Sequence, residues 1–203
     1  MLSGVILAGG ASRRMGGKRK ALLPFGGKPL IVRQLERMGK LCEECIVVTD
    51  DPKPYLPIVD RSVRIITDFY EGCGPLGGLH AALSLAKHSS VWAVGCDMPF
   101  ISSHAARLLL ERKRDGFDAV VPLAGGRPHP LHGIYDRTVA PQIEALLQQG
   151  ETDVSSLLKP LFWSEIGEKL LAENGIDTLC VAAIKTPDDY ETLLQREEQA
   201  DDD

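Results

Sequence analysis

The sequence predicts an α/β fold of three layers around a mostly parallel, doubly wound sheet. Short apolar runs alternate with helix-length segments over residues 1–122, the order that builds β-α-β units. A glycine-rich turn follows the first apolar run directly, where open parallel sheets carry their ligand loops. Size and composition agree: 203 residues, 44% hydrophobic and 25% charged, suit one globular domain with a sizeable core.

Residues 2–8, Leu-Ser-Gly-Val-Ile-Leu-Ala, read as a buried first strand, and a basic glycine loop runs on through Lys20. Pro29 suits a helix start, and apolar Leu30, Ile31, Leu35 and Met38 give that helix a core face ending near Gly39. Residues 45–49 form a second strand stopped by Asp50-Asp51-Pro52, and 63–67 a third ending at Asp68. A glycine-rich segment over 72–78 leads into a helix over 79–88. The fourth strand, 90–95, runs straight into Cys96-Asp97-Met98-Pro99. A helix over 103–113 and a strand over 119–122 complete the regular part. Beyond it the alternation loosens. Residues 125–130 read as a loop, 131–135 as a strand, 138–149 as a helix stopped by Gly150, and 155–158 as a short helix ahead of Pro160. Residues 165–174 are amphipathic and end at Gly175, as a helix C-terminus favours. Residues 179–184 read as a last strand, and Pro187 starts a final helix. The expected organisation is a single domain over 1–196 and an acidic, disordered tail over 197–203.

Lysine and arginine number 23 against 28 aspartate and glutamate, a net charge of −5. No global basic field draws such a chain onto nucleic acid or an anionic membrane. Positive charge is made locally instead: Arg13, Arg14, Lys18, Arg19 and Lys20 fall within eight positions. No stretch reaches the roughly 18 apolar residues of a membrane helix. The apolar run 5–8 is too short for a signal peptide, and its basic residues lie on the wrong side. A cytoplasmic protein is expected. Five cysteines, an odd number, argue against a disulfide framework, and the Cys42-x-x-Cys45 pair lacks the second ligand pair of a structural zinc site.

The informative stretch is Leu7-Ala8-Gly9-Gly10-Ala11-Ser12-Arg13-Arg14-Met15-Gly16-Gly17-Lys18-Arg19-Lys20. Glycines behind a buried strand let backbone N–H groups approach phosphate oxygens, and arginine or lysine in the same loop offsets a triphosphate's charge. Two other phosphate loops are excluded. A P-loop needs G-x-x-x-x-G-K-[ST], but Ser12 and Arg19 stand at its first glycine and its hydroxyl position; a dinucleotide loop needs G-x-G-x-x-G, but Ala11 follows Gly9 at two residues.

The pattern L-A-G-G-x-S-x-R-M-G-x-x-K resembles the signature of the molybdenum cofactor guanylyltransferases, with Gly27-Lys28-Pro29-Leu30, Gly74-Pro75-Leu76-Gly77-Gly78-Leu79, Cys96-Asp97-Met98-Pro99-Phe100 and Thr186-Pro187-Asp188-Asp189 following in the family's order over residues 3–192. The resemblance implies the Rossmann-like, nucleotide-diphospho-sugar transferase type of fold, a nucleotide-binding part over 1–122 and an acceptor-binding part over 123–196. It implies that Leu7, Ala8, Gly9, Gly10 and Gly78 line the nucleotide site, with Arg14, Gly17 and Lys20 on the phosphates and Asp68 near the base or ribose. Asp97 would hold Mg²⁺, and Arg14, Lys20 and Asp97 would carry the chemistry. Gly9-Gly10 is similar to the GTP-using members, whereas cytidylyl relatives tend to have Ala-Gly. Molybdopterin is the implied acceptor, with transient contact to molybdoenzymes or other cofactor-synthesis proteins. One departure stands out: Ala183 and Lys185 occupy places where the family often carries asparagines.

Attack of an acceptor phosphate on an α-phosphorus brings two polyanions together and expels pyrophosphate. A divalent cation and basic side chains neutralise that charge, and Mg²⁺ needs only one or two carboxylates beside phosphates and water. Asp97, at the end of an apolar strand, suits this; a helix cap or turn aspartate before Pro99 is the structural alternative. No protein nucleophile is needed. Ser12 lacks the glycines of a nucleophile elbow, and Cys96 reads as a buried structural thiol. Arg127, His129 and His132 are candidates for an anionic acceptor, or simply parts of a loop and strand. The leading expectation is GMP transfer from GTP to molybdopterin. The alternatives are a relative using CTP or another acceptor, such as a sugar phosphate, and a non-catalytic GTP-binding carrier of the cofactor.

Overall fold

A computed structural model of the chain describes residues 1–9, 15–70 and 72–202. In order come β1 (Leu2–Leu7), β2 (Pro24–Phe25), β3 (Lys28–Pro29), α1 (Leu30–Met38), β4 (Glu44–Val48), β5 (Arg64–Ile66), α2 (Gly74–Leu85) and β6 (Ser90–Gly95). Then follow α3 (Ser103–Lys113), β7 (Ala119–Ala124), β8 (Arg127–Pro128), β9 (Gly133–Asp136), α4 (Ala140–Gln148), β10 (Trp163–Gly167), α5 (Glu168–Glu173) and α6 (Pro187–Asp202).

The main sheet runs β10-β7-β9-β6-β1-β4-β5, with β8 paired to β7. β1 lies at its centre, parallel to both β4 and β6, and all six of its residues are buried. A strand covered on both faces must be apolar throughout, which is why this one shows no polar alternation beyond Ser3. Its side chains still divide by period two: Leu2, Ile6 and Ala8 join the cluster under α1 and α3, while Val5 and Leu7 join the one under α2 and α4. The fold is therefore the three-layer, mostly parallel α/β architecture that the alternation predicts. The exceptions are β9, antiparallel to both β6 and β7, and the two-residue β8, antiparallel to β7.

Local chemistry sets the helix boundaries. Ser102 caps α3 by accepting from the Ala105 amide. α2 begins at Gly74 rather than 79, with Pro75 in its first turn, because the glycines at 77 and 78 serve close packing instead of a loop. A Cβ at position 78 would lie 3.3 Å from Leu7 Cδ2.

Three expectations for the C-terminal part need correction. The segment 165–174 is divided: β10 takes Trp163–Gly167 and pairs with β7, leaving only Glu168–Glu173 as helix. The last strand expected over 179–184 is instead a 3₁₀ turn, Thr178–Val181, started by the Asp177 side chain accepting from the Leu179 amide. The tail expected to be disordered from Glu197 continues α6 as helix to Asp202. Glu197 is buried and paired with Arg33 of α1, a tertiary contact that composition does not reveal. Among the described residues no helix is long and apolar enough to cross a membrane.

Candidate active site

The carboxyl ends of three neighbouring strands lie level. Leu7 pairs in register with Val48 of β4 on one side and Gly95 of β6 on the other. The segments leaving them, Ala8-Gly9, Thr49-Asp50 and Cys96-Asp97, emerge side by side at the position where parallel sheets bind ligands. Backbone contacts hold them: Ala8 N donates to Val48 O at 2.7 Å, Tyr55 Oη to Ala8 O at 3.1 Å, and Cys96 N to Leu7 O at 3.1 Å. Leu7 and Ala8 are buried, and Leu7 also lines a cavity beside Gly9. Gly9 is exposed, and a Cβ added there would meet no atom within 4 Å, so its backbone faces open space.

The glycine loop lies partly outside the described residues, and so do the expected ligand contacts of Gly10 and Arg14. Its return is described. Gly16 and Gly17 both have positive φ, 63° and 79°, which only glycine adopts readily, and Lys18 N closes the turn on Met15 O. The basic residues that follow separate by role. Arg19 is committed to structure, its guanidinium 2.9 Å from Asp50 and 3.2 Å from Asp51 at the end of β4. Lys20 turns the other way, with Nζ 2.8 Å from Asp97 Oδ2. The structure thus joins two residues 77 positions apart that the sequence assigned to phosphate and metal.

Asp97 follows β6 in the segment 95–101, and its side chain is 24% exposed. Gly95 makes room for it: a Cβ there would lie 2.8 Å from Asp97 Oδ1. Beside it the Cys96 thiol is held protonated, burial pushing its pKa up to about 12 with help from the adjacent Asp97 charge. It is an inert structural thiol. Among the described residues no three His, Cys, Asp or Glu side chains gather as a metal cage. One carboxylate beside a ligand's own oxygens is what Mg²⁺ commonly uses.

Two cavities meet the strand ends. One, about 280 Å³, is lined by Gly9, Thr49, Asp50, Asp68, Gly74 and Gly78 among others, so Asp68 and Gly78 border the same cavity as Gly9. The other, about 700 Å³, runs from Asp97 past Arg127, His129, Thr152 and Asp153 to Ala183 and Lys185. Pro75 borders both. His132, a candidate for that second cleft, is excluded from it. It is fully buried, its Nε2 accepts from the Ser102 amide at 3.1 Å, and burial lowers its pKa to about 4. Its φ of 141° is a conformation L-residues rarely adopt. His129 lines the cleft, with Nε2 3.1 Å from Ala124 O.

Sequence reasoning missed Gln34, Arg37 and the loop 152–155. The first two grip the backbone carrying Asp97, and the third walls the larger cleft. Gln34 left a readable signal: it falls on the same helix face as Leu30, Ile31 and Met38, a polar residue in an apolar stripe.

A family model described as a MobA-like NTP transferase domain matches residues 4–166. The molybdenum cofactor guanylyltransferase of Desulfosudis oleivorans is 30% identical, the match covering 94% of this chain and 93% of that protein. A protein of Methanosarcina acetivorans, described as a probable molybdenum cofactor guanylyltransferase, is 34% identical, with 95% and 89% covered. Molybdopterin-guanine dinucleotide biosynthesis protein A from Archaeoglobus fulgidus has a crystal structure that superposes with a TM-score of 0.80 at 28% identity, covering 98% of this chain and 97% of that one.

Proposed function

We propose that this chain, which belongs to the MobA-like NTP transferase family, transfers GMP from GTP to the phosphate of molybdenum-bearing molybdopterin. The products are the guanine dinucleotide form of the cofactor and pyrophosphate. One observation carries the reading: Lys20 Nζ and Asp97 Oδ2 meet at 2.8 Å beside the open backbone of Gly9, where one cavity borders Gly9 and the other borders Asp97. Substrates approaching from the two cavities would bring an α-phosphate and an acceptor phosphate together beside that pair.

Each residue then has a task. The backbone at Gly9, with Gly10 and Gly17 in the same loop, receives phosphate oxygens. Lys20, and Arg14 with it, neutralises negative charge that grows on the leaving pyrophosphate. Asp68 and Gly78 bound the pocket for the base or ribose. Arg127, His129 and Lys185 face the incoming acceptor. A Mg²⁺ ion suits the hard carboxylate of Asp97, and when bound there it supplies Lewis-acid neutralisation of the phosphates. Five free thiols, Cys42, Cys45, Cys73, Cys96 and Cys180, support a cytoplasmic setting.

The test is incubation with molybdopterin, Mg²⁺ and GTP, CTP or ATP in turn, following pyrophosphate and the dinucleotide product. GTP is expected to turn over fastest and only in the presence of Mg²⁺. Preferred use of CTP, or GTP binding without pyrophosphate release, would overturn the proposal.

A further inference from the structure

We infer that Gln34 is a positioning residue for the Asp97 carboxylate; this rests on the proposed role of Asp97 toward the divalent ion. Gln34 lies in the middle of α1 with no solvent exposure, in a stripe otherwise made of Leu30, Ile31 and Met38. Its Nε2 uses both hydrogens, one to Gly95 O at 2.8 Å and one to Met98 O at 2.9 Å. Those two carbonyls bracket Cys96 and Asp97. The segment has little means of holding itself, since Pro99 has no N–H to donate and Met98 N reaches Gly95 O only at 3.3 Å. External donors supply the rest: Ile184 N to Asp97 O at 2.8 Å, and Arg37 Nη1 to Pro99 O at 3.0 Å and Ile101 O at 3.1 Å.

The other end of the Gln34 amide explains why the residue is informative. Oε1 is buried and has no hydrogen-bond partner among the described residues. A half-satisfied buried amide is worse for stability than a methionine or leucine of similar size. Turning the amide over gives no relief, because it sets the oxygen against two carbonyl oxygens. The donor pair is therefore what the position supplies, and what it holds is the backbone on both sides of Asp97. The same helix is tied to the turn bearing Lys20, through Leu30 N to Leu23 O at 2.9 Å. α1 thereby sets the spacing between the lysine and the carboxylate. Small displacements of a ligand group weaken a metal site strongly, and loss of a supporting contact commonly lowers metal affinity 10- to 100-fold.

The test uses the full chain with a non-hydrolysable GTP analogue, reading Mn²⁺ affinity from water-proton relaxation, alongside melting temperature and steady-state kinetics. Gln34→Met is expected to melt at or above the wild-type temperature. Its Mn²⁺ affinity and kcat are each expected to fall by about tenfold or more while KM for GTP stays within about twofold. Gln34→Glu keeps the shape but, as the neutral acid that burial favours, has one hydrogen to donate where the amide has two, so it loses one of the two carbonyl contacts and is expected to show the same metal defect; it decides the matter if the methionine variant fails to fold. Wild-type Mn²⁺ affinity in either folded variant overturns the inference, as does a lower melting temperature with metal affinity and kcat unchanged. A wild-type chain that binds no Mn²⁺ beside the nucleotide overturns the metal role of Asp97 and this inference together.

Discussion

The two walls of the cleft are held by different means. On the β1, β4 and β6 side, parallel pairing puts Leu7, Val48 and Gly95 level and so fixes the points from which the segments bearing Gly9 and Asp97 leave the sheet. On the opposite side the wall is made of loops around 127–131, 152–155 and 178–185. Local aspartate caps shape two of them. Asp153 accepts from Ser155 N, Asp177 from Leu179 N, and Asp189 from Lys185 N and Thr186 N at the start of α6. A wall fixed by a sheet ladder has little freedom to vary, because a change in register moves every side chain on the strand. A wall fixed by caps can change residue by residue. Ala183 and Lys185, the two departures from the asparagines of the resembled family, both fall on the capped wall.

The largest expected effect falls on the rigid wall. Lys20→Ala or Asp97→Asn should lower kcat by about 10²–10³-fold, as loss of one preorganised charge contact typically does, with the melting temperature nearly unchanged. Pyrophosphate release and a thermal melt check both parts, and a large loss of stability would mean that the pair serves folding rather than chemistry.

The second prediction concerns pH and the buried His132, behind the loop wall rather than on it. His132 is neutral in the fold, its pKa held at about 4 by burial against an ordinary 6.5. Between those values the unfolded chain takes up a proton that the folded chain refuses. This contribution to stability is intact above pH 6.5 and is lost as pH falls through about 4, a drop on the order of 3 kcal/mol. Chemical denaturation between pH 8 and 4 should show it, His132→Asn should remove that part of the slope, and amide exchange should rise first around β9.

A smaller effect is expected from Gly95→Ala. The new Cβ displaces Asp97 Oδ1, 2.8 Å from its position, and should lower kcat by about tenfold while leaving acceptor KM alone. The smallest is Lys185→Ala, on the variable wall. It should raise acceptor KM by about fivefold, the order of one partly exposed charge contact, and leave the KM for GTP unmoved. A change in both constants would mean that the walls do not act separately.

The contrast between the walls also explains what was readable. Parallel strands buried on both faces must be continuous apolar runs, so β1, β4 and β6 stand out, and the residues just after them, Gly9 and Asp97, were legible as candidates for the site. β9 was legible as a strand over 131–135, but β10 was harder: Trp163–Gly167 mixes exposed and buried residues at the sheet edge, so its pattern merged with the helix behind it. The tail misled for a related reason. Acidic composition describes the solvent-facing side of α6, whereas Glu197 is set by one arginine far away in the chain.

By itself the sequence determined the layer order, the ligand end of the sheet and the chemical types gathered there, because hydrophobic periodicity and glycine-rich turns are local properties. Only the tertiary structure decided which basic residue faces the carboxylate and which is spent on Asp50 and Asp51, that His132 is buried, and that Gln34 holds the backbone of Asp97. Those outcomes depend on contacts between residues dozens of positions apart. Their partners are chosen by packing and strand register, which no local pattern records.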